Sequence, residues 1–142
     1  MDLPRRRARR GASLSVILGV GIDAVDIARI ERMHESHGDR MLAKLFTDAE
    51  LDYLSTKTFP AQHIAVRLAA KEAAYKALSG NDDARAIGWR EIEVLTRVDG
   101  APELRLHGRA NARFAELQGT SIHVSLSHSQ ATGVAVVILE RL

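Results

Sequence analysis

Pro60-Ala-Gln-His-Ile-Ala-Val-Arg67-Leu-Ala-Ala-Lys71-Glu72-Ala-Ala-Tyr-Lys76-Ala-Leu78 is the stretch on which the reading of this chain turns. It opens on a proline, is rich in alanine and stops just before Ser79-Gly80-Asn81, so it predicts one long helix over residues 60–78. Ala65, Leu68, Ala69, Glu72 and Lys76 recur three or four apart and share a face, where the alanines let another element come close. Taken alone, Glu72 and Lys76 read first as an i,i+4 surface pair of ~0.2–0.5 kcal/mol. Arg67 and Lys71 are also four apart. Two like charges at that spacing are unfavourable unless an anion such as a phosphate sits between them.

Upstream, Ser15 to Ile22 reads as a buried strand, because Val16, Ile17, Leu18, Val20 and Ile22 are almost continuously apolar. Gly19 and Gly21 weaken a strand but allow a backbone or a ligand to approach closely. Asp23 follows at once. A carboxylate there is costly unless capped, paired or bound to a cation, so it reads either as a helix cap or as a metal ligand. Ile27, Ile30 and Met33 recur at helical spacing from Asp26 to about His37, with Asp23 or Asp26 as cap and Gly38 as the stop. Thr47-Asp-Ala-Glu50 is a capping box opening a short helix through Leu54. Downstream, residues 79–88 read as a loop. Ile92–Val98 and Leu104–His107 read as strands around an Asp99-Gly100 turn, and Gly108–Leu117 as a helix. Strands at 121–126 and 133–139 are joined around Ser127-His128-Ser129-Gln130. The order βαααββαββ predicts a single α+β domain, a largely antiparallel sheet covered by helices.

At 142 residues the chain suits one domain. Aromatics are only 4%, so the core must rest on Leu, Ile, Val and Ala. The absence of cysteine excludes disulfides, thiolate zinc sites and a cysteine nucleophile, and is compatible with a reducing, cytoplasmic setting. No apolar run reaches the ~20 residues that span a bilayer, so no membrane is expected as a partner. The pI near 9.3 misleads. Arg5, Arg6, Arg7, Arg9 and Arg10 stand against Asp2 alone in the first fifteen residues; removing them turns the net charge of +2 into −2 for the rest. Residues 1–14 read as a basic, unstructured extension and 15–142 as the domain. Such a tail could bind nucleic acid or an anionic membrane, but the domain's own charge speaks against a nucleic-acid partner.

The chemistry gathers in three segments. Asp23 and Glu72 are two hard carboxylates with cations nearby, which suit magnesium together with a phosphate ester. Neither zinc spacing nor an EF-hand loop is present. Gly19-x-Gly21 carries Ala24 where a dinucleotide fingerprint needs its third glycine. In His123-Val-Ser125-Leu-Ser127-His128, alternation puts His123, Ser125 and Ser127 on one face, with His128 near the strand end. No Gly-x-Ser-x-Gly elbow supports a serine hydrolase.

Together these segments resemble the holo-acyl-carrier-protein synthase family of phosphopantetheinyl transferases. Gly21-Ile-Asp23 with Asp26-Ile and Arg29-Ile is similar to the family's first motif, Arg67-Leu-Ala-Ala-Lys71-Glu72-Ala with Lys76-Ala77 to its second, and His123 to His128 to its C-terminal strand. The resemblance implies the 4′-phosphopantetheinyl transferase fold. It also implies transfer of the 4′-phosphopantetheine arm from coenzyme A to a serine of apo-acyl carrier protein, leaving adenosine 3′,5′-bisphosphate and serving fatty acid or polyketide synthesis. It implies magnesium on Asp23 and Glu72, the adenosine 3′-phosphate on Arg67 and His128, and phosphate charge neutralised by Lys71 and Lys76. Arg29 would meet an acidic helix of the carrier, and the chain would form a homotrimer with sites between subunits. The base stays open among Glu72, directly or through water, a metal-bound water and a neighbouring subunit; Glu72 is favoured. Three positions depart from the family: Leu68 in place of Phe, Ser79 before Gly80, and Ser129-Gln130 after His128 where an acid is usual. A catalytically idle binder of coenzyme A or of the carrier is the alternative.

Overall fold

The computed structural model describes residues 14–142. The expected basic extension lies, Leu14 apart, outside them. The chain runs β1 (Val16–Asp26), α1 (Ile27–Leu45), α2 (Asp48–Ser55), α3 (Pro60–Leu78), α4 (Asp82–Arg85), a 3-10 turn (Trp89–Glu91), β2 (Ile92–Thr96), β3 (Pro102–Leu106), α5 (Gly108–Glu116), β4 (Ser121–His128) and β5 (Thr132–Arg141). The α+β expectation holds, with α4 added inside the expected loop and the 3-10 turn directly after it. The strands form two antiparallel sheets, β1-β5-β4 and the hairpin β2-β3.

The helix α3 keeps the bounds the sequence sets and is the hub of the molecule. Ala69, Ala73, Ala74, Ala77 and Leu78 pack into one apolar cluster with Ala135, Val137 and Leu139 of β5. Ile64 and Ala65 join a second cluster with Ile27, Ile30, Leu42, Phe46 and Leu54 from α1, α2 and the segment between them. Its far end is closed by α5, whose Arg113 donates from Nε to the Leu78 carbonyl at 2.9 Å and from Nη2 to that of Ser79 at 3.2 Å. Those carbonyls are the ones a helix end leaves without intrahelical partners.

The two glycines of β1 set how close the sheet comes. A Cβ added at Gly19 would lie 2.1 Å from the Ala77 carbonyl oxygen, and one at Gly21 would lie 1.7 Å from that of Ala73. Backbone therefore rests on backbone along a glycine–alanine seam. Gly19, Gly21 and Asp23 pair across the ladder with Leu139, Val137 and Ala135, all buried on the α3 side. Val20 and Ile22 point the other way and stay 57% and 62% exposed. No helix of the described chain covers that outer face.

Two expectations are corrected. The strand β1 does not stop at Ile22. Its ladder with β5 continues until Asp26 meets Thr132, because backbone pairing needs no apolar side chain. Asp23 is thus a strand residue, and Asp26 caps α1, its side chain accepting from the Ala28 N–H at 3.2 Å. Gly38 bends rather than ends α1; it takes φ 52°, ψ −141°, and the helix resumes to Leu45. The capping box at Thr47 forms as read, with both reciprocal bonds to Glu50 present.

Candidate active site

Because the seam seats β1 directly on α3, Asp23 projects beside the last turns of that helix. Lys76 Nζ donates to Asp23 Oδ1 at 3.1 Å and to the Ile22 carbonyl at 3.0 Å. Glu72 lies one turn earlier on the same face. Asp23, Glu72 and Arg29 line a cleft of about 560 Å³ whose apolar wall includes Ile30, Met33, Leu68 and Trp89. Arg29 is exposed on α1.

The electrostatics of this cleft are unbalanced. Burial pushes the Glu72 carboxyl above its ordinary value, the Asp23 charge pushes it further, and Lys76 only partly opposes them. Two carboxylates share one half-exposed ammonium, so a divalent cation would relieve the strain between them. Among the described residues no group of three or more His, Cys, Asp or Glu side chains is placed to hold a metal. The donor set is two carboxylates. That fits magnesium, which takes one or two carboxylates and completes its shell with water and substrate phosphate.

Arg67 and His128 are not part of this cleft. Arg67 precedes Glu72 by five residues on α3, which turns the two side chains roughly 140° apart about the helix axis. Arg67 is buried, donating from Nη1 to the His63 carbonyl at 3.3 Å and from Nη2 to Thr96 Oγ1 at 3.0 Å. Its guanidinium carbon lies 4.1 Å from the centre of the Tyr53 ring. Burial draws its pKa below the ordinary arginine value, while Tyr53 opposes the shift. His128 is exposed at the end of β4 and acts electrostatically on His63.

Lys71 departs from expectation altogether. It is 1% exposed, and its ammonium pairs with Glu50 Oε1 at 2.8 Å and donates to the Trp89 carbonyl at 3.0 Å and to that of Ile92. An ammonium has three donors, so none is left for a phosphate. Burial pulls its pKa down, and Glu50 pulls it back. The like-charge pairing with Arg67 across an anion does not arise, because Lys71 lies in the core against a buried carboxylate.

Several residues here were not legible as site residues. Tyr53, Lys57 and His63 surround Arg67, yet nothing in their spacing links them. Glu50 was explained by its capping box alone. A usable signal existed for Lys71: Ile64, Lys71, Ala74 and Leu78 recur at helical spacing, so it stands in an apolar stripe. Of the three departures, Leu68 forms part of the cleft wall. Ser79 caps α3, and Gly80 after it takes φ 129°. Ser129 Oγ accepts from the N–H groups of Ala131 and Thr132 and closes the β4–β5 turn.

A family model described as the 4′-phosphopantetheinyl transferase superfamily matches residues 19–135. A holo-[acyl-carrier-protein] synthase of Geobacter metallireducens is 43% identical over 89% of this chain and 100% of its own length. The crystal structure of holo-[acyl-carrier-protein] synthase from Neisseria meningitidis superposes with a TM-score of 0.77 at 26% identity, covering 87% of this chain and 98% of that one. A Bacillus anthracis holo-(acyl-carrier-protein) synthase in complex with CoA (3′,5′-ADP) superposes at 0.70 with 29% identity, covering 89% and 98%.

Proposed function

The chain belongs to the 4′-phosphopantetheinyl transferase superfamily, and from that membership we propose that it is a holo-acyl-carrier-protein synthase. It moves the 4′-phosphopantetheine arm of coenzyme A onto a serine of apo-acyl carrier protein. The observation that carries this reading is the cleft lined by Asp23 and Glu72, with Lys76 paired to Asp23 across the seam, inside the matched span.

Asp23 and Glu72 would hold magnesium, which supplies charge neutralisation and Lewis acidity at a pyrophosphate when bound. Lys76, half exposed and tethered only to Asp23 and a carbonyl, is placed to stabilise the leaving phosphate. The serine oxygen attacks the phosphorus that bears the pantetheine arm, and the bond to adenosine 3′,5′-bisphosphate breaks. Glu72 takes the serine proton, directly or through water; burial and the Asp23 charge raise its proton affinity, which favours its use as a base. Such transfer depends mainly on positioning and charge stabilisation. Arg29, exposed at the cleft rim, would meet acidic residues of the carrier. Lys71 has no part in it.

Arg67 and His128 would hold the adenosine 3′-phosphate. They lie on the opposite side of α3 from Glu72, which favours a site assembled from two copies of the chain. The uncovered outer face of the three-stranded sheet, with Val20 and Ile22 beside Val136 and Ile138, favours self-association, and a homotrimer is the form we propose. The described helices include none long and apolar enough to cross a membrane. A cytoplasmic role in fatty acid or polyketide synthesis follows from the proposed reaction.

The test is to incubate the protein with coenzyme A, magnesium and an apo-carrier and to weigh the carrier. A gain of one phosphopantetheine group is expected, and so is its loss in Asp23→Ala and Glu72→Ala proteins that remain folded. Coenzyme A binding without any mass gain on several carriers would point instead to an idle binder.

A further inference from the structure

The surroundings of Arg67 hold more positive charge than the proposed 3′-phosphate site requires of Arg67 and His128 alone. His63 and Arg67 are four residues apart on α3 and face the same way. Both meet one ring, that of Tyr53. Arg67 lies over its face, and the His63 imidazole meets it edge-on, with ring centres 6.2 Å apart and planes at 77°. The Lys57 ammonium stands 4.6 Å from the same ring centre. His128 reaches the group from the end of β4, and Thr96 from β2. Among the described residues, none of Lys57, His63, Arg67 or His128 has a carboxylate within ion-pair distance. The nearest acidic influence is Glu50, which acts on Arg67 through space.

Two features point to a missing anion. Arg67 Nε is buried without any hydrogen-bond partner, and a buried donor left unpaired is costly. Arg67 has five N–H donors, and the bonds to His63 and Thr96 use two of them. Burial also holds the His63 imidazole below its ordinary pKa, and Arg67, Lys57 and His128 hold it lower still, so it is neutral near pH 7. Burial resists ionisation of the Tyr53 phenol, but Arg67 and Lys57 outweigh it and draw that pKa down. The whole cluster is thus biased toward negative charge.

We propose that His63 is a proton-switched member of this phosphate cradle: neutral in the free protein, it takes up a proton from solvent as a phosphate monoester dianion seats against Arg67 and Lys57. The inference rests on the reading of Arg67 and His128 as the 3′-phosphate site and adds its regulation by pH. An opposite charge at close range raises an imidazole pKa, so a seated dianion works against the burial and the neighbouring cations that hold His63 down. Affinity for the monoester then falls as pH rises, beginning below the pH at which a site of fixed cations would respond.

Calorimetry of the full-length protein decides this. Coenzyme A, and separately 3′-dephospho-coenzyme A, is titrated near pH 7.5, where a monoester is a dianion, in buffers of different ionisation enthalpy. Coenzyme A is expected to bind with net proton uptake, read as an apparent enthalpy that changes with the buffer's ionisation enthalpy. The dephospho compound should bind with none, and the His63→Gln protein should still bind coenzyme A while losing the uptake. Uptake unchanged in His63→Gln would place the proton elsewhere, on His128 for example, and overturn the proposal while leaving the transferase reading intact. Equal uptake with both nucleotides would overturn it too. No binding of coenzyme A by the wild-type protein would overturn both. Should His63→Gln fail to fold, proton NMR of the wild-type histidines serves. The imidazole assigned to His63 must rise by about a unit or more on adding coenzyme A; a rise confined to another histidine, or no rise, overturns the proposal.

Discussion

Lys71 and Lys76 sit five residues apart on one helix and live in opposite worlds. Lys71 is sealed in the core, its ammonium shared by Glu50 and two backbone carbonyls. Lys76 reaches across the seam to Asp23, with half its side chain in water. Residue type and helix are the same; only the face differs. A buried pair that loses one member leaves the other as an uncompensated charge, whereas an exposed pair gives little to stability and stays free to serve a ligand. The first region builds the fold, and the second is available for chemistry.

Replacing Lys71 by alanine tests the strong side of that contrast. It strands the Glu50 carboxylate, which would keep only the N–H groups of Thr47 and Val94, so urea unfolding should show a loss of about 3–5 kcal/mol. A loss below the effect of an ordinary surface substitution would mean that Glu50 and Lys71 are not a structural pair. Next in size is Gly21→Ala, whose new methyl group would collide with the Ala73 carbonyl. Overpacking of this kind costs roughly 1–3 kcal/mol and should shift Asp23 from Lys76, so turnover falls along with the melting temperature. Unchanged turnover would uncouple the seam from the cleft.

Glu93 probes the rim of the buried region by pH. Burial tends to raise its pKa, but the Thr47 hydroxyl and His107 bind the carboxylate and hold the net value below the ordinary glutamate range. A carboxyl depressed in the folded state stabilises above its unfolded pKa, and that stability vanishes as pH falls through the folded one. Glu93→Gln should therefore cost about 1–2 kcal/mol at neutral pH, the deficit closing at pH values below 4.5. A deficit constant down to strong acid would contradict the assignment. The smallest change in stability belongs to Lys76→Met, under about 0.5 kcal/mol by urea unfolding. Its carrier-modification rate should nonetheless drop by roughly tenfold or more. Equal losses in stability for Lys71 and Lys76 variants would erase the contrast.

Local rules were legible where the sequence alone satisfies them. Pro60 and Ser79-Gly80 bound α3, Thr47 and Glu50 close a box within four residues, and Asp99-Gly100 turns a hairpin. What escaped depends on partners distant in the chain. The extension of β1 past Ile22 is set by β5, more than a hundred residues away. Glu50 and Lys71 meet only after α2 folds against α3. The separation of Arg67 from Glu72 was readable from helical geometry, but the motif that contains both invited them to be read as one site. Asp23, Glu72 and Lys76 came together as expected, because the glycines that announced a close approach received the alanine face of α3.

Strand β1 writes two messages in alternate letters. Positions 19, 21 and 23 are read by the helix beneath and fix where a carboxylate stands; positions 20 and 22 are read only by whatever lies outside. The two alphabets can drift separately. Diversifying Val20 and Ile22 would change how copies of the chain meet while leaving Asp23 where it stands on α3, while one added methyl at Gly19 or Gly21 would lengthen the ruler on which the cleft is measured.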